Sequence, residues 1–186
     1  DDAEVLIQPG KGHRFVVIFR GPGIEGPLTD ADLHHEGNPI PKVQPIQADS
    51  EKAKKMAGLI TRLHELALPV LKGKTPANGF LMRGIAHQPD IPVFQDRYQM
   101  KPACIAVYPM YKGLAQLVGM EKLEGMTNIE EEFQCYLDHY DQYDYFFIHF
   151  KTTDMMGEDG DFEGKKKAIE ELDSALPILL QKKPDV

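Results

Sequence analysis

Tryptophan is absent from this sequence of 186 residues, and cysteine occurs only twice, at Cys104 and Cys135. Each cysteine lies in an apolar segment, and no Cys or Cys/His spacing matches a zinc or iron–sulfur site. We therefore do not expect a disulfide framework, and the cysteine usage is typical of a protein of the reducing cytoplasm.

Long hydrophobic runs and an excess of positive charge are also missing. The longest apolar stretches, residues 15–19 and 145–148, fall far short of the roughly 18 to 20 residues of a membrane-spanning helix. The formal net charge is −8, which argues against non-specific binding to nucleic acid. We expect neither a membrane nor nucleic acid as a partner, although local cations can bind an anion in an acidic protein.

Apolar runs and amphipathic runs alternate along the chain, which predicts an α/β or α+β layered fold. The length suits one domain or one and a half. Proline and glycine fill residues 21–47, predicting a long irregular segment. Buried strands are predicted at residues 14–20 and 103–108, a short strand at 79–82, and a central strand at 143–150. Helices are predicted at residues 48–68, 110–118, 129–140 and 162–181.

The ends of these helices carry recognisable capping residues. Either Asp49 or Ser50 is the predicted N-cap of the first helix, and Asp161 that of the last. Pro109 suits the first position of a helix that Gly119 ends.

An acidic segment follows the strand predicted at residues 143–150. Asp154 and Glu158 lie four residues apart, with Gly157 between them to let the chain turn. Ligands in α/β proteins gather beyond the carboxyl ends of strands, and two such oxygen ligands can share Mg²⁺ or Mn²⁺. The alternative is a solvated acidic turn.

Basic residues stand beside glycine at four places, and three of these places flank predicted strands. Arginine and lysine there suit phosphate and carboxylate groups, and a neighbouring glycine lets a ligand approach the backbone. The alternative is scattered surface cations. Another polar cluster, Asp30, Asp32, His34 and His35, suits either metal or proton transfer, or is only polar filler. The basic residues beside glycine are Lys11, His13, Arg14, Arg20, Arg83 and Lys112.

Four motifs in the same order resemble one known family. They are residues 11–15 (KGHRF), 76–84 (PANGFLMRG), 108–115 (YPMYKGLA) and 149–163 (HFKTTDMMGEDGDFE). Together they resemble the archaeal-type 2,3-bisphosphoglycerate-independent phosphoglycerate mutases of the alkaline phosphatase superfamily.

The resemblance implies a division of the chain. Residues 1–142 would be an α+β inserted, transferase-type domain with a mixed sheet that grips the substrate. Residues 143–186 would be a strand and helix of the phosphatase-like core, and the chain a middle fragment that closes on the entry to another strand. The rest of that core would be its partner.

The resemblance also implies an isomerase of glycolysis. It would interconvert 3-phosphoglycerate and 2-phosphoglycerate through a phosphoenzyme, with two Mn²⁺ or Mg²⁺ ions in the full-length enzyme. The nucleophile would lie upstream, so no catalytic residue is assigned here, and the chain alone is expected to be inactive and to hold little or no metal. The substrate-binding residues would be Arg14, Arg20, Asn78, Arg83 and Lys112, together with His13 and Lys151.

Asp154 and Glu158 would bind metal. The family commonly has histidine at the second of these positions, and this departure leaves open a related phosphoryl-transfer enzyme, either homoserine-kinase-like or a phosphatase. A separate alternative is a non-catalytic module that binds phosphorylated metabolites.

Overall fold

The computed structural model describes residues 3–32 and 37–182, and these form two compact units. The N-terminal unit contains residues 3–9 and 15–89, and the C-terminal unit contains residues 10–14 and 90–182. Helices and strands alternate, so the predicted α/β class is confirmed, with the antiparallel and parallel pairings in two separate sheets. Within the described residues, no helix is long and apolar enough to cross a membrane.

The sheet of the N-terminal unit has two strands, β1 (Glu4–Pro9) and β2 (Phe15–Arg20), which pair antiparallel. The sequence predicts β2 as a buried strand. The strand forms, but the predicted burial is wrong. Val16 is 58% exposed and Ile18 is 43% exposed. The reason is that β2 has one partner strand and neither face of this two-stranded ribbon is fully covered. Strand β1 was not predicted.

Helix α1 (Glu51–Leu71) forms the core of the N-terminal unit together with the irregular segment before it. The Ser50 side chain accepts the Ala53 N–H at 3.2 Å, so Ser50 rather than Asp49 is the N-cap. Pro69 lies inside the helix, which ends two residues later. The apolar positions of the irregular segment and of the helix pack together at Leu28, Ala31, Val43, Ala53, Ala57 and Ile60.

The strand predicted at residues 79–82 does not form. Residues 77–93 have neither helix nor strand geometry. Met82 makes a single backbone contact there, accepting the Ala31 N–H at 2.8 Å. A four-residue apolar run bounded by Asn78 and Arg83 is too short to recruit a full ladder, and it packs instead on the core beside α1.

The C-terminal unit contains a parallel sheet in the order β4-β3-β5. Strand β3 is buried at every residue and lies at the centre. The strand predicted at 143–150 forms as β5, but at an edge of the sheet built by the described residues, so its predicted central position is wrong. Small side chains at Ala103, Cys104 and Ala106 let β3 fit between layers. The elements are α2 (Phe94–Tyr98), β3 (Pro102–Ala106), α3 (Pro109–Leu117), β4 (Glu121–Leu123), α4 (Ile129–His139), a 3-10 turn (Tyr140–Gln142), β5 (Tyr145–His149), α5 (Thr152–Glu158) and α6 (Phe162–Leu179).

The predicted helix ends in this unit are confirmed. Pro109 opens α3, Gly119 follows it with a φ of 80°, and the Asp161 side chain accepts the Gly164 N–H at 2.9 Å. Helix α6 buries Ala168 and Ala175, whereas the apolar Ile169 is 50% exposed. One residue along a helix turns a side chain by about 100°, which carries Ile169 off the narrow stripe that contacts α4.

The boundary expected after residue 142 falls inside the C-terminal unit, since β5 shares a sheet with β3 and β4. That boundary concerns functional parts of the family's enzyme, and it stays a prediction. Pro184, Asp185 and Val186, the expected entry to a further strand, lie outside the described residues.

Candidate functional site

A cleft of about 690 Å³ lies in the C-terminal unit, where the three parallel strands end. Strand β3 leads into Val107 and Tyr108, and β5 leads into Phe150 and Lys151. The loop after β4 brings the start of α4 to the same edge. Carboxyl ends of parallel strands are where α/β folds place ligands, so the topology itself builds this cleft.

Three cations surround the ring of Tyr108. Lys11 Nζ, Arg14 Cζ and Lys151 Nζ each lie 5.8 Å from the ring centroid. Arg14 Nη1 also donates a hydrogen bond to Tyr108 Oη at 2.5 Å. We call Lys11, Arg14 and Lys151 the cation cluster. The electron-rich faces of aromatic rings attract cations, so the buried ring gathers positive charge at one wall of the cleft.

The turn at residues 10–14 presents the first two of these cations. Gly12 has a φ of 70°, a conformation that glycine adopts without strain. The Gly10 N–H donates to the Arg14 carbonyl at 2.8 Å and closes the turn. Tyr108 in turn is fixed as the N-cap of α3, directly before Pro109. His13, a predicted site residue, is exposed on the same turn.

Lys151 links the cation cluster to the predicted metal ligands. Its ammonium group forms an ion pair with Asp154, and lies 3.8 Å from Glu158 Oε2. The Lys151 side chain is only 11% exposed, whereas those of Asp154 and Glu158 are 54% and 56% exposed. We call Asp154 and Glu158 the carboxylate pair.

The carboxylate pair lies on one short helix rather than on a turn. Gly157 is inside α5, so its expected role of letting the chain turn is wrong, and helical spacing brings the two acids to the same cation. Their hard oxygen donors and double negative charge fit Mg²⁺ or Mn²⁺. In the described part of the chain, no group of three or more His, Cys, Asp or Glu side chains could hold a metal ion, so the carboxylate pair is at most part of a metal site.

Lys112 belongs to the same unit but does not line the cleft as described. Its Nζ lies 2.6 Å from Glu124 Oε2 on the loop after β4. The hydrogen bond and charge of Lys112 hold the pKa of Glu124 below its ordinary value. The structure therefore brings together Arg14, Lys151 and the carboxylate pair, and gives Lys112 a different carboxylate partner.

The remaining predicted residues lie in the N-terminal unit. Arg83 Nη1 is 3.3 Å from Asp32, and the Gly84 N–H donates to Asp30 at 2.9 Å. The two aspartates therefore hold the segment that carries Arg83. Arg20 is 3.8 Å from Glu4 across the two-stranded sheet. Asn78 lies in an exposed loop, and its N–H donates to the Pro76 carbonyl at 2.9 Å. His34 and His35 lie outside the described residues.

Sequence reasoning missed two members of the cleft, Tyr108 and Glu132. Glu132 is only 1% exposed. Burial raises its pKa from 4.5 to about 7, although the Val107 N–H and the charge of Lys112 both favour the carboxylate. The sequence signal for the burial of Glu132 was its helical spacing, because Glu132 lies three residues after buried Ile129 and four before buried Tyr136. For Tyr108 we find no comparable local signal.

His149, at the end of β5, packs as a core side chain. Its ring stacks on Tyr111 with centroids 3.4 Å apart, and burial lowers its pKa. Its Nδ1 is buried and has no hydrogen-bond partner among the described residues.

Comparison with known proteins identifies the superfamily to which the chain belongs. The family model described as the metalloenzyme superfamily matches residues 45–186. The chain belongs to the metalloenzyme superfamily. Within that superfamily, the model of 2,3-bisphosphoglycerate-independent phosphoglycerate mutase matches residues 1–78, so the resemblance drawn from the four motifs is confirmed.

Individual members of the superfamily show the same similarity. The chain is 48% identical to a protein of Thermosipho melanesiensis and 42% identical to one of Thermotoga maritima, both named as probable 2,3-bisphosphoglycerate-independent phosphoglycerate mutases. All of the chain is matched in each case, and it spans 46% of the length of these relatives.

Solved structures agree with the sequence matches. A cofactor-independent phosphoglycerate mutase from Thermoplasma acidophilum superimposes with a TM-score of 0.56 and 25% identity, over 97% of this chain and 50% of that one. A protein from Pyrococcus horikoshii gives a TM-score of 0.56 at 28% identity, over 75% of this chain and 42% of that one.

Proposed function

We propose that this chain is part of a metal-dependent phosphoglycerate mutase, independent of 2,3-bisphosphoglycerate, that interconverts 3-phosphoglycerate and 2-phosphoglycerate through a phosphoenzyme. The observation that carries the proposal is the cation cluster, which adjoins the carboxylate pair at the carboxyl ends of parallel strands. A phosphorylated acid needs positive charge for its two anionic groups. The similarity to proteins named as mutases supports this substrate class.

The cation cluster, of which Lys11 and Lys151 line the cleft, would bind the phosphate or carboxylate group of the substrate. Arg14 offers a planar fork of donors, and the Tyr108 hydroxyl holds one of its nitrogens so that the others can face a ligand. Lys11 and Lys151 add point charges beside the same ring. Because such cations are already in place, they position a phosphoryl group without the free-energy cost of reorganising at each turnover.

The other predicted binding residues would serve the same anionic substrate. Arg20 and Arg83 are exposed, and each lies near one carboxylate of the described residues, so a guanidinium group with five donors could also bind an anionic substrate. Asn78, Lys112 and His13 complete the proposed set. In this proposal residues 1–142 grip the substrate and residues 143–186 belong to the phosphatase-like core.

The carboxylate pair would hold a divalent cation, which when bound supplies Lewis-acid stabilisation of charge on phosphoryl oxygens. Lys151 is ion-paired with Asp154 and lies 3.8 Å from Glu158 Oε2, so its single positive charge would offset part of the negative charge of the pair before a metal binds. We assign no nucleophile to the chain and propose that it does not turn over alone.

The assay that tests this function uses the full-length protein that carries the chain, with 3-phosphoglycerate and Mn²⁺. We expect 2-phosphoglycerate to form without added 2,3-bisphosphoglycerate. Asp154→Asn should lower the rate by about 100-fold because a metal ligand is lost, whereas Asp159→Asn, on the exposed turn that follows, should not. Release of inorganic phosphate alone would indicate a phosphatase, a need for ATP a kinase-like enzyme, and binding without turnover a binding module.

The anion site has its own test in the chain itself. Tyr108→Phe keeps the buried ring but removes the oxygen that accepts from Arg14. We expect affinity for 3-phosphoglycerate, measured by titration calorimetry, to fall about fivefold to tenfold, the usual worth of one such hydrogen bond. Tyr98→Phe, on exposed α2, is the matched control and should bind normally. Equal affinity in the Tyr108 variant would contradict the proposed role.

A further inference from the structure

Glu132 is a buried carboxyl group in the wall of the cleft, and one of its oxygens is unused. Its neighbours on α4 include buried Ile129, Phe133 and Tyr136. The Val107 N–H donates to the carboxylate, but Oε2 has no hydrogen-bond partner among the residues that the structure describes. A buried oxygen left unpaired costs about 1–3 kcal/mol. An unpaired oxygen in the wall of a cleft therefore indicates that a bound ligand pairs with it.

Glu132 is tied to the cation cluster through the backbone. Its hydrogen-bond partner, Val107, directly precedes Tyr108, the ring around which the cluster gathers. Glu132, Tyr108, Lys11 and Lys151 line the same cleft. An anion bound by Lys11 and Lys151 would therefore share the cleft with Glu132, and a ligand that also carries a group able to hydrogen bond with a carboxyl could pair with Oε2.

We propose that Glu132 is a specificity-determining residue, which selects anionic ligands carrying a hydroxyl group and holds that hydroxyl through Oε2. The inference rests on the proposed function, because it needs an anion on the cation cluster. For 3-phosphoglycerate the selected group is the hydroxyl on carbon 2. An analogue with the same phosphate and carboxylate but no hydroxyl would leave Oε2 unpaired.

A carboxyl group beside an anionic ligand causes no charge repulsion when it is protonated and therefore neutral. With a pKa of about 7, Glu132 is half protonated at neutral pH, and a bound anion raises that pKa further. Binding should then take up a fraction of a proton. Lys112 on α3 and the thiols of Cys104 on β3 and Cys135 on α4 interact with Glu132 electrostatically. The charged groups that share its cleft are Lys11, Glu130, Lys151, Lys167, Glu170 and Glu171.

The decisive experiment compares two ligands on several variants of the chain. Calorimetry measures the affinity for 3-phosphoglycerate and for 3-phosphooxypropanoate, the analogue without the hydroxyl. We expect the native chain to prefer 3-phosphoglycerate about tenfold, as one hydrogen bond to a buried group would give. Glu132→Met should remove the preference without weakening the analogue. Glu132→Gln should retain it, because an amide also bonds a hydroxyl, and Glu163→Met, on the exposed start of α6, is the matched control.

Proton uptake supplies a second readout that does not depend on the methionine variant folding. Titrations at pH 7 in buffers of different ionisation enthalpy should show more proton uptake by the native chain than by Glu132→Gln, because only the native chain has the carboxyl whose pKa a bound anion raises. A native chain that binds both ligands equally, or a folded methionine variant that keeps the preference, would overturn the inference alone. If neither ligand binds to any variant, the anion site of the proposed function is wrong, and the inference is overturned with it.

Discussion

At the scale of single residues, identical carboxyl groups behave in opposite ways because their surroundings differ. Burial raises the pKa of Glu132. The exposed carboxyls Glu25, Glu124 and Glu131 have pKa values below their ordinary value, because each accepts hydrogen bonds, from Lys52, Lys112 and Thr127 respectively. Charge counted along the sequence therefore says little about which acid acts in the cleft.

Glu132 also makes the stability of the chain depend on pH. Its pKa is about 7 when folded against 4.5 as the ordinary value, so between these values the folded state binds the proton and the unfolded state does not. Stability should fall as pH rises through this window, by about 3 kcal/mol from this group. We expect Glu132→Gln to remove that fall, measured as the difference in urea unfolding free energy at pH 5 and pH 8.

Glu163→Gln is the control for this comparison and should keep the native pH profile, since Glu163 is exposed. A native chain and a Glu132→Gln chain with parallel profiles would show that the buried carboxyl does not control stability.

At the scale of elements, hydrophobic runs in the sequence predicted where most strands lie, but not which strands lie beside them in a sheet. Strands β2 and β5 are both strongly apolar, yet β2 has one partner with exposed faces and β5 lies at a sheet edge. The run of β3 is no more apolar, and it is the one that is buried completely. Helix ends were more predictable, because a cap acts on backbone groups only three residues away.

Helix α1 allows a sharp test of capping, since two adjacent residues were candidates. The Ser50 side chain accepts the Ala53 N–H, so Ser50→Ala should destabilise the chain by about 1 kcal/mol. Asp49→Ala should change stability much less. Thermal or urea unfolding of both variants measures the difference, and a larger loss at Asp49 would mean that the helix begins one residue earlier than described.

At the scale of the whole molecule, the chain consists of two units with different cores. The N-terminal unit packs an irregular segment on one helix, and the C-terminal unit packs helices on a parallel sheet. The relatives are about twice as long as this chain. Under the proposed function, the carboxylate pair would supply two metal ligands, and further ligands and the nucleophile would come from the remainder of the full-length protein.

Backbone protection should differ strongly between the two sheets. Strand β3 is buried and bonded on both sides, whereas β2 bonds only to β1 among the strands that the structure describes. Two-stranded sheets are marginally stable, and exposed backbone exchanges by local opening. We expect β2 amides to exchange at least about 100-fold faster than β3 amides in native-state hydrogen exchange followed by NMR or mass spectrometry. Similar rates would show that other parts of the chain cover the ribbon.

The sequence by itself determined the α/β class, the positions of most helices and strands, the caps, and the motifs shared with the metalloenzyme superfamily. These depend on local periodicity and on residue order, both of which are readable without packing. Tertiary structure decided which of the described strands is central, that Tyr108 contacts Arg14 from 94 residues away, and that one oxygen of Glu132 has no partner among the described residues. Such contacts depend on how distant segments pack, and no local pattern in the chain encodes that distance.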